Sequence, residues 1–189
     1  MGVLGDNLLS SNLSSHNPLN FYAASKSSVE NYLNVFKKTF GIKTFILRFS
    51  NIYGRFSKKK SSVIANFFKS IIKNRRVSIN GSGNQYRDFL YIDDLVDCVN
   101  ILIKKQKKGF EMFNVGLGRP LNITQLAKLI LKISKKVKKI KYIKKNFSID
   151  NKVKIKINKI KSFGWKPTYS LKDGIEKTIN WYKNYYHHE

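Results

Sequence analysis

Apolar residues recur along this chain at two spacings, and the alternation between them sets the expected order of elements. Residues 1–19 are polar, rich in Ser and Asn, and close on Pro18, which reads as a loop. In "FYAASKSSVENYLNVFKKTF" the positions Val29, Tyr32, Leu33, Val35 and Phe36 make a stripe at helical spacing, and Gly41 supplies a stop. "KTFILRF" (43–49) is a short apolar run of the kind buried on both faces inside a parallel sheet. "SSVIANFFKSIIKN" (61–74) is a second amphipathic helix, whose Phe67, Phe68, Ile71 and Ile72 read as core. "RVSIN" and "DFLYI" read as short strands around the turn "GSGN". "DDLVDCVNILIKK" opens on Asp93 and Asp94 and ends on lysines, which suits a helix dipole. "EMFNVG" is a strand. "NITQLAKLILKI" is a helix capped by Asn122 or Thr124. After the turn "SFGWKPTYS", a last helix places Leu171, Ile175, Ile179 and Tyr182 on one face. Strands alternating with helices give an α/β fold.

Length and composition narrow this picture. The 189 residues suffice for one well-buried domain but not for two full-sized enzyme domains, and 42% hydrophobic content with 13% aromatics favours a folded chain. The net charge of +26 invites a polyanion partner. Most of that charge is lysine, however, and arginine is confined to Arg48, Arg55, Arg75, Arg76, Arg87 and Arg119. Lys, Asn, Ile and Phe are enriched together, as an AT-rich coding sequence would produce. From Lys128 to Lys166 fifteen lysines face one acid, Asp150, and the stretch reads as a solvated face. A basic nucleic-acid-binding module, with Tyr142 and Phe147 interleaved among those lysines, is the alternative from another functional class. Cys98 is the sole cysteine, so no internal disulfide can form, and no CxxC or His/Cys cluster suggests a metal. No signal peptide and no membrane-length apolar run is visible, which makes the cytoplasm the expected location.

Tyr22 stands four residues before Lys26 in "PLNFYAASK". A Tyr-x-x-x-Lys pair alone carries little information in a chain this rich in both. Its context is more specific: "ILRFSNIYG", "INGSGNQYRDFLYIDD", "FNVGLG" and "FGWKP" follow in that order. Together these segments resemble the extended short-chain dehydrogenase/reductase family, particularly its NAD-dependent nucleotide-sugar epimerases and dehydratases, from about Asn17 to the end of the chain.

The resemblance implies that Tyr22 is the base that takes a proton from a sugar hydroxyl, with NAD as hydride acceptor. Lys26 would hold the nicotinamide ribose and Phe49 would lie against the cofactor. The spacing has a physical logic, because residues i and i+4 share one helix face. A cation about 5 Å away at an effective dielectric near 20 favours the ionised hydroxyl by roughly 3 kcal/mol. The resemblance further implies that Asn51 hydrogen-bonds a UDP- or dTDP-sugar, that Arg87 grips its diphosphate, and that Ile79 and Asn80 lie along the base. At Asn80 the family usually carries an aromatic residue. Without the family, Arg87 reads as a surface arginine paired with Asp88. "GLG" (116–118) and "GSG" (81–83) lack the third glycine of a dinucleotide fingerprint and read as turns.

Two family features have no counterpart here. One is the N-terminal βαβ unit with its glycine-rich turn for the cofactor pyrophosphate. The other is a catalytic Ser or Thr three residues before a "VYG"-like segment. The nearest match to that segment is "VLG" at Val3 to Gly5, and Ser10, Ser11, Ser14 and Ser15 lie elsewhere. The fold thus expected is a partial Rossmann-type (NAD(P)-binding) fold lacking its N-terminal βαβ units, plus a small α/β substrate-binding domain. Residues 1–50 would be the remnant of the NAD-binding domain, and 51–189 mainly the substrate domain, with 93–115 returning to the first. Strand 43–49 would then present open edges, so the expectation is a complementing N-terminal half from another chain, or a truncated reading frame with no activity of its own; a homodimer is the alternative partner. A non-catalytic remnant that associates with a full-length relative is the third reading.

Overall fold

The computed structural model describes residues 18, 20–105, 110–136, 139–144 and 155–187. The Ser-rich start, His16, Phe147 and His188 lie outside them. Six helices and eight short strands alternate among the described residues. Helix α1 (Phe21–Phe40) leads into β1 (Thr44–Phe49) and β2 (Asn51–Tyr53). Then come α2 (Val63–Ile72), β3 (Ser78–Asn80), β4 (Tyr86–Arg87), β5 (Phe89–Tyr91) and α3 (Ile92–Lys104). The chain continues through β6 (Phe110–Val115), β7 (Leu121–Asn122), α4 (Ile123–Ile133), β8 (Lys141–Ile143), α5 (Asn158–Ser162) and α6 (Leu171–His187).

Three of the four strand pairs are parallel: β1 with β6, β2 with β5, and β3 with β8; β4 and β7 pair antiparallel. The strands on either side of "GSGN" therefore do not pair with each other. The left-handed φ of Gly81 (80°) and Gly83 (79°) turns the chain away, and the strands find separate partners, β8 for one and β2 for the other.

Ser50 separates β1 from β2, and there the backbone changes partner. The Ser50 N–H donates to the Val115 carbonyl at 2.9 Å, whereas the Asn51 N–H donates to the Asp88 carbonyl at 3.0 Å. A point where parallel strands part is where α/β sheets open a crevice.

Two apolar clusters hold these elements. One gathers Phe67, Phe68, Ile71, Leu126, Ile130, Ile175, Ile179 and Tyr182 between α2, α4 and α6, so the faces read for α2 and α6 do turn inward. The other packs Leu90, Cys98, Leu102, Phe113 and Val115 against Ile155, Ile157, Ile160 and Trp165. The lysine-rich stretch is therefore not wholly a solvated face. Ile130, Ile155, Ile157 and Ile160 within it are buried, and each such side chain contributes roughly 1.5–3 kcal/mol. Asn122, rather than Thr124, caps α4, in a reciprocal box with Gln125.

Helix α1 reverses the expected burial. Ala23, Ser27 and Glu30 face the protein, while Val29, Tyr32, Val35 and Phe36 are exposed and Leu33 is half-buried. Arg48 explains the reversal. It lies in the apolar strand β1, and its guanidinium forks onto Glu30, Nε to Oε1 at 2.8 Å and Nη2 to Oε2 at 2.6 Å, both side chains being buried. A buried guanidinium demands a carboxylate, so the polar side of the helix is the side drawn in. Among the described residues strand β1 is likewise only partly covered, since it pairs there with β6 alone and Phe49 is exposed.

Candidate functional site

Asn20 fixes the start of α1. Its side-chain oxygen accepts the Ala23 N–H at 2.8 Å, and its extended backbone sets the direction of entry. Tyr22 thus falls in the first turn and Lys26 in the second. The Lys26 ammonium lies 5.4 Å from the centre of the Tyr22 ring, and the tyrosine is 60% exposed. Glu30, one further turn along, shares that face and anchors it to β1 through Arg48. The sequence carried a signal for this anchor, namely a lone arginine in the apolar run "KTFILRF", which could be buried only with a partner.

Asn51 sits at the change of strand partner. Its Nδ2 donates to the Asp88 carbonyl at 3.0 Å, next to Arg87 in sequence. Arg87 is half-buried on β4 and donates from Nη1 to the Tyr86 carbonyl at 2.7 Å. Burial pushes its pKa down, the sign of a guanidinium held partly away from water. Among the described residues it has no acidic partner. The pairing with Asp88 suggested by adjacency does not occur. Asp88 is fully buried, and its two side-chain oxygens accept the backbone N–H groups of Leu117 (2.7 Å) and Arg119 (2.9 Å). A partly desolvated cation without a counter-charge is suited to an anion.

Ile79 and Asn80 occupy β3. The Ile79 side chain lies in the core, which leaves only its backbone for a ligand, while Asn80 is exposed and its carbonyl accepts from Gln85 Nε2 at 3.4 Å. Phe49 is exposed at the end of β1. The structure thus places Tyr22 beside Lys26, and Asn51 beside Arg87 through Asp88. Ile79 and Asn80 stand on a separate strand.

Two acids that the sequence named in other roles are buried structural anchors. One is Asp88. The other is Asp94, whose Oδ1 accepts from Thr168 N (2.7 Å) and Thr168 Oγ1 (2.8 Å), tying the start of α3 to the segment before α6. Cys98 is buried, and desolvation pushes its thiol up to about 11, which leaves it unreactive. Among the described residues no three His, Cys, Asp or Glu side chains gather as a metal site would need. No helix among them is long and apolar enough to cross a membrane. Of the aromatics in the nucleic-acid reading, Tyr142 shares a hydrogen bond with Thr124 (3.3 Å).

The pattern matches known proteins. The family described as "NAD dependent epimerase/dehydratase family" matches residues 5–116. Human dTDP-D-glucose 4,6-dehydratase is 33% identical over 177 residues, covering 90% of this chain and 50% of that protein. A putative UDP-glucose 4-epimerase of Methanocaldococcus jannaschii is 35% identical over 171 residues, covering 89% of this chain and 55% of its own length. Among solved structures, UDP-glucose 4-epimerase of Thermotoga maritima with UDP-glucose superposes at a TM-score of 0.86 with 28% identity, over 98% of this chain and 60% of that one. UDP-glucuronic acid 4-epimerase of Bacillus cereus, in complex with UDP-glucuronic acid and NAD, gives 0.83 with 27% identity, over 98% and 60%. The α/β fold is thus of the Rossmann-like type of these epimerases. The chain spans about half the length of the curated relatives it matches.

Proposed function

Because this chain belongs to the NAD dependent epimerase/dehydratase family, we propose that it forms the sugar-nucleotide-binding and proton-transferring part of an enzyme that epimerises or dehydrates a UDP- or dTDP-sugar. The observation that carries this reading is Arg87, a half-buried guanidinium with no acidic partner among the described residues, one residue from the group that Asn51 donates to. A diphosphate supplies the missing negative charge, and the arginine fork matches its oxygens. Asn51 has an amide oxygen left to meet a sugar hydroxyl.

Tyr22 is the proton acceptor in this reading. As the phenolate it takes the proton of the sugar hydroxyl and becomes the neutral phenol, and before that transfer the Lys26 ammonium stabilises the negative charge on the phenolic oxygen. NAD, when bound, supplies the hydride acceptor. The residues present fit one end of that cofactor. Tyr22 and Lys26 offer an exposed hydroxyl and ammonium side by side, suited to the nicotinamide ribose, and Phe49 offers an exposed ring. They do not fit the pyrophosphate, since no GxGxxG turn joins a strand to a helix among the described residues. Water around an exposed Tyr22 also screens Lys26, so the pair gains its full electrostatic effect only under a cover.

We infer that a complementing polypeptide supplies the cover. Among the described residues strand β1 has an open edge beside the exposed apolar face of α1, and further parallel strands would close both. The test is turnover of UDP-glucose or dTDP-glucose with NAD, after this chain is mixed with the separately expressed N-terminal half of a relative. The expected result is product formation that Tyr22→Phe reduces by a factor on the order of 10² or more. Turnover unaffected by Tyr22→Phe would contradict the assignment of the base.

A further inference from the structure

We propose that Asp88 is the positioning residue of the sugar-nucleotide site, holding Asn51 and Arg87 in their binding arrangement from beneath; this rests on the reading of those two residues given above. Three segments meet on Asp88. Its side-chain oxygens accept from Leu117 N at 2.7 Å and Arg119 N at 2.9 Å, which pins the turn after β6. Its backbone carbonyl accepts two donors from the strand opposite, Asn51 N and Asn51 Nδ2, each at 3.0 Å. Through the chain itself it sets Arg87.

The side chain is fully buried, so it touches no ligand. The packing around it is tight. A Cβ added at Gly116 would lie 2.7 Å from Asp88 Oδ1 and 3.1 Å from Ser50 Cβ, so only glycine lets the turn approach the carboxyl group. The physical consequence is directional. With two backbone N–H groups fixed on its side chain, the Asp88 peptide has little freedom to tilt. Its carbonyl then fixes the orientation of the Asn51 amide and turns the free amide oxygen toward the ligand side. The pairing of Arg87 with Tyr86 O points the guanidinium along the same strand. An acid adjacent to an arginine in sequence thus serves the site by facing away from that arginine.

Two variants of the full chain test this. Asp88→Asn puts an amide N–H₂ where one backbone N–H needs an acceptor, and Gly116→Ala displaces the carboxyl group without removing it. Each is expected to weaken UDP-glucose binding on the order of tenfold by calorimetry and to shift the Asn51 side-chain amide resonances. In an Arg87→Ala background, where the diphosphate contact is already gone, Asp88→Asn is expected to add clearly less than its effect alone. Unshifted Asn51 resonances in both variants, or full additivity with Arg87→Ala, would overturn the positioning role. Absence of UDP-glucose binding by the unaltered chain would instead overturn the sugar-nucleotide reading, with the Asn51 resonances still deciding whether Asp88 orients that side chain.

Discussion

Glu30 and Arg48 decide how helix α1 lies. Their fork is buried on both sides, so removing the carboxylate leaves a guanidinium with neither water nor counter-charge. Glu30→Gln is expected to cost about 3 kcal/mol of unfolding free energy, measured by urea denaturation. A loss below about 1 kcal/mol, the range of exposed pairs, would show that Arg48 finds another partner or water. At this scale the sequence was informative where a side chain's neighbour is set by local geometry, as for Tyr22 and Lys26 one turn apart. It was silent where the partner is a distant backbone. Asp88 beside Arg87 reads as an ion pair, and nothing in "QYRDF" indicates that residues 117 and 119 take the carboxyl group instead.

Helix α1 shows the corresponding limit for an element. Its period was readable, and the residues placed on one face do share it. Periodicity does not say which face the fold covers, and here the apolar stripe looks outward, with Tyr32 at 67% and Val35 at 57% exposure. The double substitution Tyr32→Lys and Val35→Lys is expected to leave the midpoint of thermal unfolding within a few degrees, because neither side chain is packed. It should also lower the fluorescence of a bound hydrophobic dye. A large drop in the midpoint would mean that the stripe is covered in solution and that α1 is not the face awaiting a partner. The strands at 44–49, 78–80, 89–91 and 110–115 stand where the sequence placed them, whereas 51–53, 86–87, 121–122 and 141–143 were not read as strands, and all their partners depend on contacts between distant segments. The parallel pairing of "SIN" with residues 141–143 was therefore not legible.

For the whole molecule, the buried phenols and thiol couple stability to alkaline pH. Burial raises the pKa of Tyr53, Tyr91 and Tyr182 above the ordinary phenol value of 10.0 and that of Cys98 to about 11 from 9.0. The folded state therefore keeps protons that the unfolded chain releases. Their contribution is complete below about pH 9 and is lost as the pH rises, each fully shifted group removing about 1.4 kcal/mol per pH unit. Denaturant midpoints measured from pH 8 to 11 should fall above pH 9, and Tyr53→Phe should flatten the fall despite losing the hydrogen bond to the Leu171 carbonyl. A midpoint independent of pH across that range would contradict the burial of these groups.

The central claim is that this chain presents a seat for a sugar nucleotide, built around an arginine without a counter-charge among the described residues, and that the cofactor's pyrophosphate is held elsewhere. Calorimetric titration of the chain with UDP-glucose, with and without Arg87→Ala, and then with NAD, tests it most directly. The account predicts saturable UDP-glucose binding weakened at least about tenfold by Arg87→Ala, and no saturable heat with NAD. UDP-glucose binding indifferent to Arg87, or micromolar affinity for NAD, would contradict it.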